Sequence, residues 1–214
     1  DGFNCALWHQ ITFNVVSRAL PSGQAFVPRG CQSCWKVVCK PRTVEQLFNL
    51  HKAQKDLDRP SKCGIETRDS VHGLYGGYFY NKTHDEGIEC YDVVRKMMSE
   101  NDILAPLLDE VDEDGRTTRL ILKRACTEYE HLIGNSARWE VTPQQNFIED
   151  IVERYVVDEN LKLQQPEHVG WHVMKKWIDW AWKNGDPTYE KYTAGRPLFP
   201  EYVTYHQPEL NGRP

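Results

Sequence analysis

The stretch Trp35–Pro60, WKVVCKPRTVEQLFNLHKAQKDLDRP, decides the fold. Its first five residues, Trp35-Lys36-Val37-Val38-Cys39, are rich in β-branched and aromatic types. They close before Pro41, which cannot donate to a sheet ladder, so they read as a short strand. Thr43 followed by Gln46 then forms a capping box, in which each side chain satisfies a backbone donor at the start of a helix. Val44, Leu47, Phe48, Leu50 and Leu57 supply a loose apolar stripe behind it, and Arg59-Pro60 stops the helix. A strand therefore leads directly into a helix.

Working outward, Gly64-Ile65-Glu66-Thr67-Arg68 and Leu74-Tyr75-Gly76-Gly77-Tyr78-Phe79-Tyr80 read as two strands joined by a turn near Asp69-Ser70. Thr83 and Glu86 make a second capping box, ahead of a helix carrying Ile88, Tyr91, Val94 and Met98 at helical spacing. After an acidic loop, Arg119-Leu120-Ile121-Leu122-Lys123 reads as a last strand. The order is β-α-β-β-α-β, and it predicts an α+β protein with a ferredoxin-like, split-βαβ core over about residues 35–126.

Residues 1–34 form an N-terminal arm with a cysteine cluster, and residues 127–188 a helical region expected to pack on the core. There Thr142, Pro143 and Gln145 start a helix through Phe147, Ile148, Ile151 and Val152. Another begins near Pro166, with Trp171, Met174, Trp177, Ile178, Ala181 and Trp182 three and four residues apart. Trp171, Met174, Ile178 and Trp182 are expected to be buried, and His168, Lys175 and Lys183 to face solvent. Residues 189–214, rich in Pro, Gly and Tyr, read as an extended tail that could attach a protein partner.

The whole chain narrows the possible functions. Its 214 residues suffice for a proper core. A net charge of −5 gives no global positive field to recruit nucleic acid or an anionic membrane. No apolar run approaches the ~20 residues that span a bilayer, so no membrane role is expected. The first residue is Asp, so the chain reads as a processed or excised segment. Seven cysteines cannot all pair internally. Their crowding suits a reducing, cytoplasmic setting better than a secreted disulfide framework.

The strongest chemical signal is C-x2-C-x4-C at Cys31, Cys34 and Cys39, with Cys63 as the fourth candidate ligand. Zinc takes four such thiolates in a tetrahedron, and an iron–sulfur cluster is the rival occupant. Cys126, or Cys5 and His9, could replace one of them. A second signal is charge within the strands. Lys36, Arg68 and Lys123, with Tyr78, would line an anion-binding face, while Glu66, His72 and Asp69 are the acid–base candidates.

Third, the aromatics of Tyr75–Tyr80 sit on the strand where RNA-recognition modules place their stacking rings, although the octamer match is poor and core packing accounts for them better. Glu110–Gly115 resembles the start of a calcium loop but has Ile121 where a bidentate Glu belongs.

These residues predict a metal-containing protein, an enzyme acting on an anionic small molecule held between the open sheet face and the C-terminal helices. The alternatives are a module for single-stranded nucleic acid and a structural subunit of a larger assembly.

Overall fold

The computed structural model describes residues 10–11, 26–69, 71–156, 167–196 and 198. Cys5, His9, Ser70, Pro166, most of the N-terminal arm and the tail beyond residue 198 lie outside the described residues. A short helix α1 (Arg29–Gln32) precedes strand β1 (Trp35–Cys39), helix α2 (Val44–Leu57), β2 (Ser61–Ile65), β3 (Tyr75–Asn81), α3 (His84–Ser99) and β4 (Leu120–Arg124). Beyond the sheet come α4 (Thr127–Ile133), α5 (Pro143–Val156), α6 (Glu167–Lys183) and a 3-10 turn, Pro187–Tyr192. Among the described residues no helix is long and apolar enough to cross a membrane.

The helices start where their caps dictate. Thr43 Oγ1 accepts from Gln46 N at 3.2 Å, while Arg42 N donates back to Gln46 Oε1 at 2.8 Å. Thr83 and Glu86 repeat the exchange at α3, with Lys82 N donating to Glu86 Oε2 at 2.8 Å. Thr142 Oγ1 likewise accepts from Gln145 N. Each pairing satisfies backbone donors that have no partner inside the helix. At the other end of α2, Asp58 turns left-handed at φ 46° and delivers the chain through Pro60 into β2.

The result is a mixed α+β protein with a four-stranded antiparallel sheet, ordered β2-β3-β1-β4. β2 begins three residues earlier than the sequence suggests and ends at Ile65. Its ladder with β3 runs from Ser61↔Phe79 to Ile65↔Tyr75. The last bond, Glu66 N to Leu74 O, closes it, so Thr67 and Arg68 leave the sheet. Alternation along the strands sends Val37, Cys39, Phe79 and Leu120 to one face, where they pack with Leu50 of α2 and with Cys90, Val94 and Met98 of α3. Gly77 is on this face too, where a Cβ would collide with the Leu50 side chain.

α6 packs against α2 and β2. Trp177 (3% exposed) and Ala181 (0%) are its buried residues, joining Val44, Leu47 and Tyr75. Trp171 is 75% exposed and Trp182 also lies outward, contrary to the expected stripe. Trp177 is six positions from Trp171, about 120° around a helix with 3.6 residues per turn, so the buried face is rotated away from Trp171. His168, Lys175 and Lys183 are exposed as expected.

Asp186 ties this region down. Its carboxylate accepts from Val44 N at 2.6 Å, the Tyr75 hydroxyl at 2.8 Å and the Thr188 hydroxyl at 2.7 Å.

A smaller cluster of Val27, Cys31, Ala125, Tyr129 and Trp139 joins α1 to the region after β4. There the buried Glu149 of α5 accepts from Arg29 N and from Gln145 Nε2.

Candidate functional site

Strand alternation sends the remaining strand side chains to the face away from α2 and α3. The ladders align Tyr80, Lys36 and Lys123 in one row and Lys62, Tyr78, Val38 and Ile121 in the next. Lys36 and Lys123 are thus direct cross-strand partners. Each has company: Lys36 Nζ lies 2.8 Å from Cys126 Sγ, and Lys123 Nζ is 2.9 Å from Glu130 Oε2 and from the Thr127 hydroxyl.

Tyr75 and Phe79 point into the core, while Tyr78 and Tyr80 point to this second face. Lys36 and Val38 are each only 6% exposed, so the centre of the face is covered. A stacking platform for single-stranded bases needs its rings and cations open to the ligand.

The accessible part is at the β2–β3 edge. A cavity of about 390 Å³ is lined by Lys62, Gly64, Glu66, Arg68, Gly76 and Tyr78, among others. Gly64 and Gly76 are opposite each other in the ladder, and a Cβ on Gly64 would lie 3.7 Å from Trp177 Nε1. A Cβ on Gly76 would come 2.8 Å from the Tyr78 hydroxyl, so the missing side chain lets Tyr78 fold across the strand.

The wall is a tightly connected polar group. Arg68 Nε donates to Glu66 Oε1 at 2.8 Å and Arg68 Nη2 also bonds Glu66 Oε2. Nη2 donates to the Tyr78 oxygen at 2.9 Å, and the Tyr78 hydroxyl donates to Glu66 Oε2 at 3.0 Å. Arg68 Nη1 reaches Glu128 Oε1 at 2.6 Å.

This geometry sets the protonation states. Burial alone would raise the Glu66 carboxyl, but the hydrogen bonds and charge of Arg68, with the Tyr78 hydroxyl, outweigh it and bring it down to about 2. The bond to Glu66 holds the Arg68 guanidinium charged well above its ordinary range. Burial, then the Glu66 charge, pushes Tyr78 up to about 12. Near neutral pH the wall is therefore a fixed carboxylate, a fixed guanidinium and an intact phenol. His72 and Asp69 are exposed on the loop between β2 and β3, and among the described residues neither bonds Glu66.

Lys62 is the lining residue that sequence reasoning missed. It is exposed, its Nζ is 5.7 Å from the Tyr78 ring centre and 5.8 Å from that of Tyr80, and among the described residues it forms no ion pair. The signal was present: Lys62, Gly64 and Glu66 share parity, so whatever placed Glu66 on this face placed Lys62 there too.

Cys31, Cys34, Cys39 and Cys63 are not brought together. Cys31 is buried against Tyr129 and Trp139, whereas Cys39 lies in the sheet–helix core, 3.9 Å from Met98 Sδ. Five residues of extended strand put Cys34 and Cys39 about 17 Å apart, while sulfurs sharing one zinc each sit ~2.3 Å from it. Among the described residues no three His, Cys, Asp or Glu side chains are grouped to hold a metal ion.

Cys63 instead faces His51, 3.8 Å from its Nδ1, beside a 290 Å³ cavity shared with Trp177. Burial pushes the Cys63 thiol up to about 12 and pulls His51 down, so both are neutral there.

Compared with models of protein families, with curated proteins and with solved structures, the chain matches none of them.

Proposed function

We propose that this chain is a binding protein with a split-βαβ, ferredoxin-like core that takes a small anion in the cavity at the β2–β3 edge. The fold reading is supported by two strand–helix–strand crossovers, β1-α2-β2 and β3-α3-β4, each leaving room for a strand between its ends.

One observation carries the ligand reading. At the cavity beside the Gly64–Gly76 pair, Lys62 stands without a carboxylate partner among the described residues, whereas Arg68 is matched to Glu66 and Glu128. An incoming anionic group would meet the Lys62 ammonium and the outward edge of Arg68, with the Tyr78 ring beside it. The volume lies at the small end of ordinary ligand pockets, ~300–1,000 Å³.

Proton transfer is a weaker reading of the same residues. A base works best with a pKa near the operating pH, and Glu66 is held far below it while Tyr78 is held far above. The site is built to present fixed charges. A reducing, cytoplasmic setting suits Cys39, Cys63 and Cys90, which are thiols within or against the core.

Thermal unfolding with inorganic phosphate, citrate and a nucleoside monophosphate tests the proposal. A ligand at 100 times its Kd stabilises the folded state by about 2.7 kcal/mol, a readily measured shift in Tm. Lys62→Ala should abolish the shift and leave the unliganded Tm in place. Equal shifts in wild type and variant would overturn the assignment.

A further inference from the structure

A second cavity, of about 470 Å³, is lined by residues of α1, of the end of α4 and of the start of α5. Two of these residues are carboxamides withdrawn from solvent, Gln32 at 6% exposure and Gln145 at 3%. Both commit their amide nitrogen to one acceptor. Gln32 Nε2 donates to Val27 O at 3.1 Å and Gln145 Nε2 to the same oxygen at 2.7 Å, and Gln145 Nε2 also donates to Glu149 Oε1. Neither carbonyl oxygen accepts a hydrogen bond among the described residues. A buried amide oxygen without a donor is costly, and two beside one cavity call for a molecule that brings donors with it. The volume is that of an ordinary ligand pocket, ~300–1,000 Å³, and many times the ~30 Å³ of a single water.

The rim supplies the opposite function. Asn135 Oδ1 accepts from Ala137 N, so its Nδ2 is left to donate. Thr142 Oγ1 accepts from Gln145 N and keeps its hydroxyl proton for another acceptor. Charge at the rim is balanced, with Arg138 and Glu140 both exposed. Trp139 commits its Nε1 to Gly134 O, so the indole has only carbon to offer a ligand. Buried carbonyl oxygens repel an anion, whereas a hydroxyl both donates and accepts. The C–H face of a sugar ring packs on aromatic carbon.

We propose that this cavity binds a neutral saccharide of one or two rings. Gln32 Oε1 and Gln145 Oε1 accept from its hydroxyls, Asn135 Nδ2 and the Thr142 hydroxyl donate to them, and the apolar face of the ring lies on Trp139. The site shares no lining residue with the anion cavity and does not depend on it.

Isothermal titration of the full chain with maltose and with N-acetylglucosamine tests the assignment. Saturable one-to-one binding of either sugar is expected, unchanged by added salt because the ligand carries no charge. Gln32→Met keeps the length of the side chain and removes the acceptor, while Val27 O retains its bond from Gln145. Asn135→Ser keeps an oxygen for Ala137 N and removes the amide donor. Each should weaken binding about three- to tenfold, the effect of one hydrogen bond. Asn135 is exposed, so its variant decides the matter even where Gln32→Met fails to fold. Absence of saturable binding by both sugars, or an affinity that Asn135→Ser leaves unchanged, refutes the proposal.

Discussion

Replacing Asp186 with Ala tests how the C-terminal region is held to the core. The carboxylate is 6% exposed and accepts from Val44 N, in the first turn of α2, and from the Tyr75 hydroxyl, itself 2% exposed. It also accepts from Thr188 N and Thr188 Oγ1, at 3.1 and 2.7 Å. Truncation leaves two buried donors without an acceptor at ~1–3 kcal/mol each, so the expected loss is about 2–6 kcal/mol. Asp186→Asn keeps an acceptor oxygen but turns charge-assisted bonds into neutral ones, and should cost roughly half as much.

The assay is urea unfolding followed by circular dichroism and tryptophan fluorescence. Trp177 lies in the same cluster as Val44 and Tyr75, so its emission should shift to the red at lower denaturant than the sheet signal is lost. An Asp186→Ala protein within ~0.5 kcal/mol of wild type would refute the reasoning, since that is the scatter of substitutions that touch nothing.

Two other perturbations follow from the packing and from the charges. Trp177→Ala should cost about 3–5 kcal/mol and Trp171→Ala under ~0.5, measured by the same unfolding; the reverse ranking would mean that α6 is seated by its other face. Glu66 is held at about 2 in the folded chain against ~4.3 in an unfolded one. Its folded pKa is lowered, so its contribution to stability is present above ~4.3 and fades as pH falls toward about 2. Acid titration of Tm should therefore show a steeper fall below pH ~4.3 in wild type than in Glu66→Gln, and parallel curves would show that the Arg68 pairing contributes nothing.

Local order was largely legible in the sequence, because local chemistry sets it. The Thr43–Gln46, Thr83–Glu86 and Thr142–Gln145 pairs each placed a helix start, and β1 falls on Trp35–Cys39 as read. Long-range placement was less legible. The end of β2 depends on which residue of β3 it meets, and Glu66 breaks away to grip Arg68, a contact no periodicity announces. The α6 stripe was wide enough to suit several rotations, and the choice of Trp177 over Trp171 came from Val44, Leu47 and Tyr75 on other elements.

At the cysteines, spacing in the sequence is a poor guide to distance. C-x4-C looks compact as text, but here a fully extended strand separates the two sulfurs. At the candidate site, Glu66, Arg68 and Tyr78 do converge, whereas the exposed His72 and Asp69 stand apart from them. Lys62 was readable only by extending the parity of Glu66 back along its strand.

The most direct measurement of the central claim is isothermal titration of the wild-type chain and of Lys62→Glu with a nucleoside monophosphate and with inorganic phosphate. The account predicts saturable one-to-one binding to wild type that weakens with added salt, as expected for an exposed cation, and no detectable binding to Lys62→Glu. Binding that survives Lys62→Glu unchanged, or a wild-type chain that takes up neither anion, would contradict it.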